Sequence, residues 1–104
     1  MSPTKADAAL THCARIRDLI LHHRGGWADA DAIRIFRQYT CAASRAADDE
    51  ECSALLRIAD GYAADLFSAS AHGKWARGTT SGADILRLCI LGKLDAFRDR
   101  LTLR

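Results

Sequence analysis

The chain has 104 residues, 49% of them hydrophobic and 27% charged, and this ordinary balance excludes a disordered chain. The length predicts one domain over residues 1–104 with a single modest core. A net charge of +2 and a pI near 8.5 do not give the strongly basic footprint of a dedicated nucleic-acid-binding domain.

Arginine supplies twelve of the 15 basic residues, and the alanine- and arginine-rich composition is typical of a GC-rich, bacterial genome. The longest uncharged apolar stretch, Leu88 to Leu91, is far too short to span a membrane. The N-terminus has no apolar run of the signal-peptide type. We therefore expect a cytoplasmic protein without a membrane segment, whose cysteines are thiols rather than disulfides.

Helix one is predicted from about Thr4 to Arg24. Pro3 is the only proline of the chain, and Ser2-Pro3 can begin this helix, with Thr4 to Asp7 as an alternative capping box. Gly25-Gly26 then supplies residues that favour a helix end. The apolar face of this helix is given by residues at three- and four-residue spacing, widened by three leucines: Ala9, Cys13, Ile16, Ile20 and His23, with Leu10, Leu19 and Leu21.

Helix two is predicted to begin near Asp29 or Asp31, since acids suit the N-terminal end of a helix dipole. The acidic run at positions 48–51 reads as the start of helix three, with Asp48 as the cap. The inner stripe of helix two is predicted to consist of Ala28, Ala32, Ile35, Phe36, Tyr39, Ala42, Ala43 and Ala46.

Helix three keeps helical spacing from this start to about Ala71, straight through Gly61. A glycine inside a helix costs about 1 kcal/mol relative to alanine. A kink or a close packing contact at Gly61 is therefore expected. A break at Asp60-Gly61, which would give five shorter helices, stays open as an alternative.

Helix four is predicted from a capping box at Ser81 to Asp84 until about Leu103. Only Arg87 is polar between Ile85 and Leu91, so this helix lies at the centre of the fold or is covered by a second copy of the protein. Four helices joined by short loops predict an all-α four-helix bundle with up-down-up-down antiparallel topology.

The stretch from Gly73 to Thr80 is the longest predicted loop. It passes near the phosphate-binding pattern G-x-x-x-x-G-K-[ST], but Thr79 occupies the lysine position and no strand precedes the loop, which argues against nucleotide hydrolysis. Lys74 and Arg77 flank Trp75, a residue type enriched at binding hot spots. These three residues are predicted to bind a partner, the alternative being that Trp75 folds inward as a lid.

No catalytic, cofactor or metal site is predicted. The four cysteines fall on different helices without a C-x-x-C pair, so core positions are favoured, with Cys41 off its stripe and exposed. His22 and His23 are adjacent and point about 100° apart on a helix, which prevents joint chelation. No Ser, Thr or Cys nucleophile has a base that spacing alone would bring within reach.

The sequence therefore predicts a non-enzymatic helical interaction module, a small regulator, adaptor or inhibitor that binds a larger protein assembly. Leu88 and Leu91 of helix four are the candidate contacts of a homodimer. The alternative is a nucleic-acid-associated accessory protein using surface arginines. A helix-turn-helix arrangement is not favoured, because Asp29 and Asp31 would repel DNA at the reading end of helix two.

Overall fold

The computed structural model describes residues 4–23, 28–68, 78 and 81–103. In this part of the chain 87% of the residues are helical and no strand occurs. The helices are α1 (Lys5–His22), α2 (Ala30–Ala47), α3 (Glu50–Leu66) and α4 (Gly82–Thr102). The predicted all-α four-helix bundle is thus confirmed.

Contacts between α1 and α4 show that these helices are antiparallel. Arg17 on α1 pairs with Asp95 on α4, and Arg87 Nη2 donates to the His23 carbonyl oxygen at 2.8 Å. Residue numbers therefore rise on one helix as they fall on the other. The Cys13 thiol, which lies 3.8 Å from the Leu94 carbonyl oxygen, fits the same register.

Helices α2 and α3 are also antiparallel, and they are joined by only two residues. The Thr40 hydroxyl donates to Asp60 Oδ1 at 2.8 Å, and one turn further along α2 the Ser44 hydroxyl lies 2.5 Å from that of Ser53. Because α1 and α3 each pack against both α2 and α4, the helices form a ring in which α2 and α4 lie on the diagonal.

The helix starts follow the capping chemistry of the sequence, with two shifts. Helix α1 begins with the Thr4–Asp7 capping box, so the Ser2-Pro3 start is wrong. Asp29 caps α2 by accepting from the Ala32 N–H. Asp48 does not cap α3; it ends α2 in a left-handed conformation, and Asp49 is the cap.

Helix α3 ends at Leu66, five residues earlier than predicted. Phe67 leaves the helical backbone and buries its ring, with the ring centroid 4.6 Å from that of His23 and 6.5 Å from that of Phe36. Its carbonyl oxygen accepts from the Asp29 N–H at 3.0 Å. The end of α3 is therefore fixed by tertiary contacts. The predicted Gly25-Gly26 helix end lies outside the described residues.

Gly61 does not break α3 and makes no close packing contact, so the alternative break and the expected contact at this position are wrong. The helix runs through it, the residue is exposed, and a Cβ atom added there would meet nothing within 4 Å. Buried neighbours at helical spacing, Ala59 and Ala63, hold the segment helical in spite of the glycine.

The core is one cluster to which all four helices contribute. Ala32, Phe36 and Ala43 of the predicted α2 stripe are buried, whereas Ala28 is exposed and Ile35 half-buried. The largest fully buried side chains of the core are Ile16, Ile20, Phe36, Leu56, Leu66, Phe67, Leu86, Ile90, Leu94 and Phe97. Helix α4 occupies a corner of the ring, with one buried face and one face in solvent.

Candidate interaction surfaces

Ion pairs on both flanks fix α4 between its neighbours. Arg100 Nη2 lies 3.0 Å from Asp49 Oδ1, and Arg100 Nη1 lies 2.7 Å from Glu51 Oε2. The Arg100 guanidinium and the Cys52 N–H hold the pKa of the Asp49 carboxyl far below its usual range. On the other flank Asp95 pairs with both Arg17 and Arg98. Much of the charge on α4 is thus directed at α1 and α3.

The outer face of α4 carries an exposed row of apolar and small residues, with the carboxylates of Asp95 and Asp99 beside it. Leu88 is 66% exposed, and Gly92 and Ala96, one and two turns later, are exposed as well. A Cβ atom added to Gly92 would meet nothing within 4 Å. Leu91 is partly buried against the core. Of the two leucines predicted on this helix, Leu88 is the surface residue.

Two further apolar residues flank this face. Leu21 is 57% exposed and follows Arg17 by one helical turn, on the edge of α1 that meets α4. Ile58 is 45% exposed and follows Glu51 by two turns, on the edge of α3 that meets α4. Both edges are identified by ion pairs to α4.

The helical register brings these residues to one level. Because α1 and α4 are antiparallel, Leu21, one turn beyond Arg17, lies level with Leu91, one turn before Asp95.

Helices α3 and α4 are antiparallel as well, because the start of α3 pairs with the end of α4 through Glu51 and Arg100, while Phe67, just after α3, and Arg87, near the start of α4, both contact His23. Ile58, two turns beyond Glu51, therefore lies level with Lys93. We call the surface formed by Leu21, Ile58, Leu88, Gly92 and Ala96 the α4 patch.

All but one of the large apolar side chains that the described part of the chain exposes lie in this patch. The exception, Leu103, is 85% exposed and caps the C-terminal end of the same helix. Sequence periodicity missed Leu21, because it lies next to the apolar face of α1 and was grouped with it. Only the position of α4 shows that Leu21 is on the outer edge.

A second surface lies on the outer face of α2, on the other side of the bundle. A groove of about 570 Å³ follows this helix, lined in the described part of the chain by α2 residues that include Arg34, Arg37 and Arg45. All three arginines are exposed, and the exposed thiol of Cys41 lies among them, as predicted for that cysteine. We call Arg34, Arg37, Cys41 and Arg45 the arginine face.

Between α2 and α3 lies a smaller polar groove, lined by hydroxyls, two arginines and a carboxylate. Thr40 is 2% exposed and donates to Asp60, whose pKa is raised because the carboxyl is half-buried. The Thr40 hydroxyl and the nearby Arg37 oppose this rise. Polar side chains of this groove are already hydrogen-bonded within the chain, since Ser44 and Ser53 bond each other across it. We call this groove the polar seam between α2 and α3.

The remaining predicted site residues are accounted for as follows. Lys74, Trp75 and Arg77 lie outside the described residues. None of the four cysteines is in a disulfide, and Cys13 and Cys52 are buried. The described residues contain no group of three His, Cys, Asp or Glu side chains placed to hold a metal ion. His23 Nε2 lies 2.8 Å from the Asp29 carboxylate, which joins the two ends of the α1–α2 connection.

Comparisons with known proteins find no matching family model, no similar curated protein and no similar solved structure. Among the described helices, none combines the length and apolar character needed to cross a membrane. The functional proposal below is therefore based on the exposed surfaces of the described helices.

Proposed function

We propose that the protein is a non-enzymatic helical interaction module, a small regulator, adaptor or inhibitor that pairs with a second copy of itself and binds a larger protein assembly. The observation that carries this proposal is the α4 patch. Three helices each contribute a large exposed apolar side chain to it, namely Leu21, Ile58 and Leu88. Contiguous apolar surface of this kind is typical of protein interfaces.

A second copy is the occupant that best suits the α4 patch. If two α4 helices cross antiparallel at Gly92, each Leu88 lies opposite Ala96 of the other copy, so a large side chain meets a small one twice. The absent side chain of Gly92 allows the two backbones to approach closely at the axis.

The charges beside the patch are compatible with the same occupant. Arg87 Nη1 lies 2.8 Å from Asp84 Oδ1, and Asp95 is paired with Arg17 and Arg98. Because Asp84 and Asp95 have arginine partners in their own chain, their charges are partly compensated when a second copy approaches. Asp99, which shares Arg98 with Asp95, and Lys93 also lie beside the patch, so its border is charged.

A bacterial cytoplasmic setting stays part of the proposal. Four cysteines without a disulfide suit a reducing compartment. The proposal assigns no catalytic residue and no cofactor. Its partners are therefore proteins: a second copy at the α4 patch, and a segment of the larger assembly elsewhere on the surface.

A nucleic-acid-associated accessory protein is the second candidate, and the arginine face is the observation that favours it. Binding that depends on phosphate contacts falls steeply with salt. We therefore expect that a salt titration separates the two candidates, since association through the α4 patch is apolar and changes little with ionic strength.

The α4 patch is tested by measuring solution mass with light scattering, in reductant, for wild type and Leu88→Glu. We expect a wild-type dimer, and a monomer of unchanged helical content for Leu88→Glu, because the buried carboxylate would lack a partner. Gln38→Glu adds the same charge on exposed α2 and should stay dimeric. A monomeric wild type at every concentration, or equal dimer loss in both variants, would contradict the proposal.

A further inference from the structure

The arginine face has few acids near it, as have the exposed Arg15 and Arg57, but among the described helices only α2 carries three arginines on one face. Arg37 and Arg45 form no ion pair within the described part of the chain. Arg34 reaches only Asp31, at 3.7 Å, with both side chains more than half exposed. Three guanidinium groups thus line one exposed face of α2, in positions that follow one another at helical spacing.

Four arginines elsewhere in the described part of the chain form ion pairs, namely Arg17, Arg87, Arg98 and Arg100, whereas Arg15 and Arg57 are exposed and form none. Arg100 binds Asp49 and Glu51, and Arg87 binds Asp84 together with the His23 carbonyl oxygen. Among the described residues Arg45 forms no ion pair, and the Arg37 side chain acts only through the effect of its charge in lowering the pKa of Asp60. Their planar guanidinium groups are suited to bidentate contacts with carboxylates.

Apolar side chains flank these cations, and Gln38 is a polar uncharged residue of the groove. Ile33 is partly buried against the core and lines the same groove, and Ala30 and Ala42 line it as well. The groove follows α2 from Ala30 to Arg45, a distance of about 22 Å at 1.5 Å per residue. A complementary ligand therefore carries negative charge opposite the arginine row and apolar groups beside that charge, where they meet the flanking apolar residues.

We infer that the arginine face binds an acidic amphipathic segment of a partner protein, about four helical turns long, whose carboxylates meet Arg34, Arg37 and Arg45. Its apolar side chains cover Ile33 and the alanines of the groove. This inference deepens the proposed function by naming the chemistry of the larger partner. It uses the opposite side of the bundle from the α4 patch, because α2 and α4 lie on the diagonal of the ring.

An acidic protein segment fits this face better than a nucleic acid does. The sugar-phosphate backbone offers no apolar surface to cover Ile33 and the neighbouring alanines. Asp31 lies in the first turn of α2 and Asp60 in the adjoining seam, and both would repel phosphates along a continuous strand. A peptide can place apolar or neutral groups opposite these carboxylates.

The test uses three probes of equal net charge on the full chain: a labelled amphipathic Glu/Leu peptide of about four helical turns, a scrambled peptide of the same composition, and a short DNA duplex. Fluorescence anisotropy gives the affinity for each. The variants are Arg37→Gln and Arg45→Gln, and the control is Lys93→Gln on α4, which removes the same charge from the other side of the bundle.

We expect the amphipathic peptide to bind at least about tenfold more tightly than the scrambled peptide and the duplex, since only it matches both the charge and the apolar groove. Each arginine variant should weaken that binding about threefold to tenfold, while Lys93→Gln leaves it unchanged. Binding of the duplex at equal or higher affinity would overturn the inference in favour of the nucleic-acid candidate.

Equal binding of both peptides, equal effects of all three variants, or no peptide binding would also overturn the inference. The solution mass of the same samples keeps this outcome separate from the proposed dimer. Leu88→Glu should bind the amphipathic peptide like wild type while losing the dimer, so one surface can fail without the other.

Discussion

Asp49 carries two structural tasks at once. Its carboxylate accepts the Cys52 N–H at the start of α3 and also binds the Arg100 guanidinium of α4. Both interactions need the ionised form, and they hold the pKa of this carboxyl far below its usual range. One side chain therefore starts a helix and fastens the last helix to it.

The pH dependence of stability follows from this lowered pKa. Since the unfolded state binds the proton more readily, the stabilisation by Asp49 is present above the ordinary carboxyl pKa of about 4 and is lost as pH falls through the lower folded pKa. We expect Asp49→Asn to lower the thermal midpoint at neutral pH and to flatten its decline in acid, measured by circular dichroism. Asp18→Asn, an exposed α1 control, should change neither. Parallel acid declines for wild type and Asp49→Asn would contradict this role.

The pKa of Asp60 is shifted in the opposite direction to that of Asp49. Its pKa is raised by burial, so the folded state holds the proton more readily, and the ionised carboxyl weakens the fold as pH rises through the folded pKa. The Thr40 hydroxyl, which donates to Asp60, limits that cost. Thr40→Val should destabilise the protein by about 1–2 kcal/mol, because the charged carboxyl loses a donor in a half-buried site.

Asp60→Asn should cost less than Thr40→Val at neutral pH, since the amide oxygen can still accept from the hydroxyl and no charge is buried. Urea unfolding of the two variants provides the comparison. If Asp60→Asn proved the more destabilising of the two, the carboxylate would be a net stabilising group. The position of Thr40 within the stripe was not predictable, because its burial depends on a partner twenty residues away.

At the scale of the helix, two glycines occupy positions where the fold itself gives no reason for them. Gly61 on α3 and Gly92 on α4 are exposed, and an added Cβ atom would meet nothing within 4 Å at either. Alanine at either position would stabilise the helix more than glycine does, so each glycine lowers the stability of the single chain.

Gly61→Ala and Gly92→Ala should each stabilise the fold by about 1 kcal/mol, measured by urea unfolding in the monomeric Leu88→Glu background. In the wild-type background only Gly92→Ala should weaken the dimer, since its Cβ atom would stand at the crossing of two α4 helices. Equal effects of both substitutions on the dimer would count against that crossing.

Helix starts were predictable to within one or two residues, and one helix end was not. Thr4, Asp29 and Ser81 cap helices because their short polar side chains accept backbone N–H groups within the same segment. The end of α3 depends on Phe67, which leaves the helix to pack beside His23 and Phe36. The local sequence pattern does not show this packing, because the partners of Phe67 are distant in sequence.

At the scale of the whole molecule, the fold separates two surfaces of different chemistry. The α4 patch is apolar with a border of mixed charge, whereas the arginine face is cationic, and the diagonal arrangement of α2 and α4 places them on opposite sides. A dimer formed through α4 would present two arginine faces outward, an arrangement that suits an adaptor with two acidic partner segments.

The fold class followed from helical periodicity, whereas the sequence left open whether helix four lies at the centre of the fold or on its surface. The α4 patch as a whole did not follow from periodicity, because the contributions of Leu21 and Ile58 depend on which edges of α1 and α3 meet α4. That information resides in the order of the ring and in the ion pairs of Arg17 and Glu51, which join residues distant in sequence.

The central claim is that the α4 patch pairs with a second copy about Gly92, and cysteine cross-linking tests it most directly. In a background where Cys41 and Cys89 are replaced by serine, Gly92→Cys should form a covalent dimer on mild oxidation, because two-fold symmetry brings the two residues together. Gly61→Cys, equally exposed on α3, should not. Equal cross-linking of the two variants, or none at Gly92→Cys, would contradict the account.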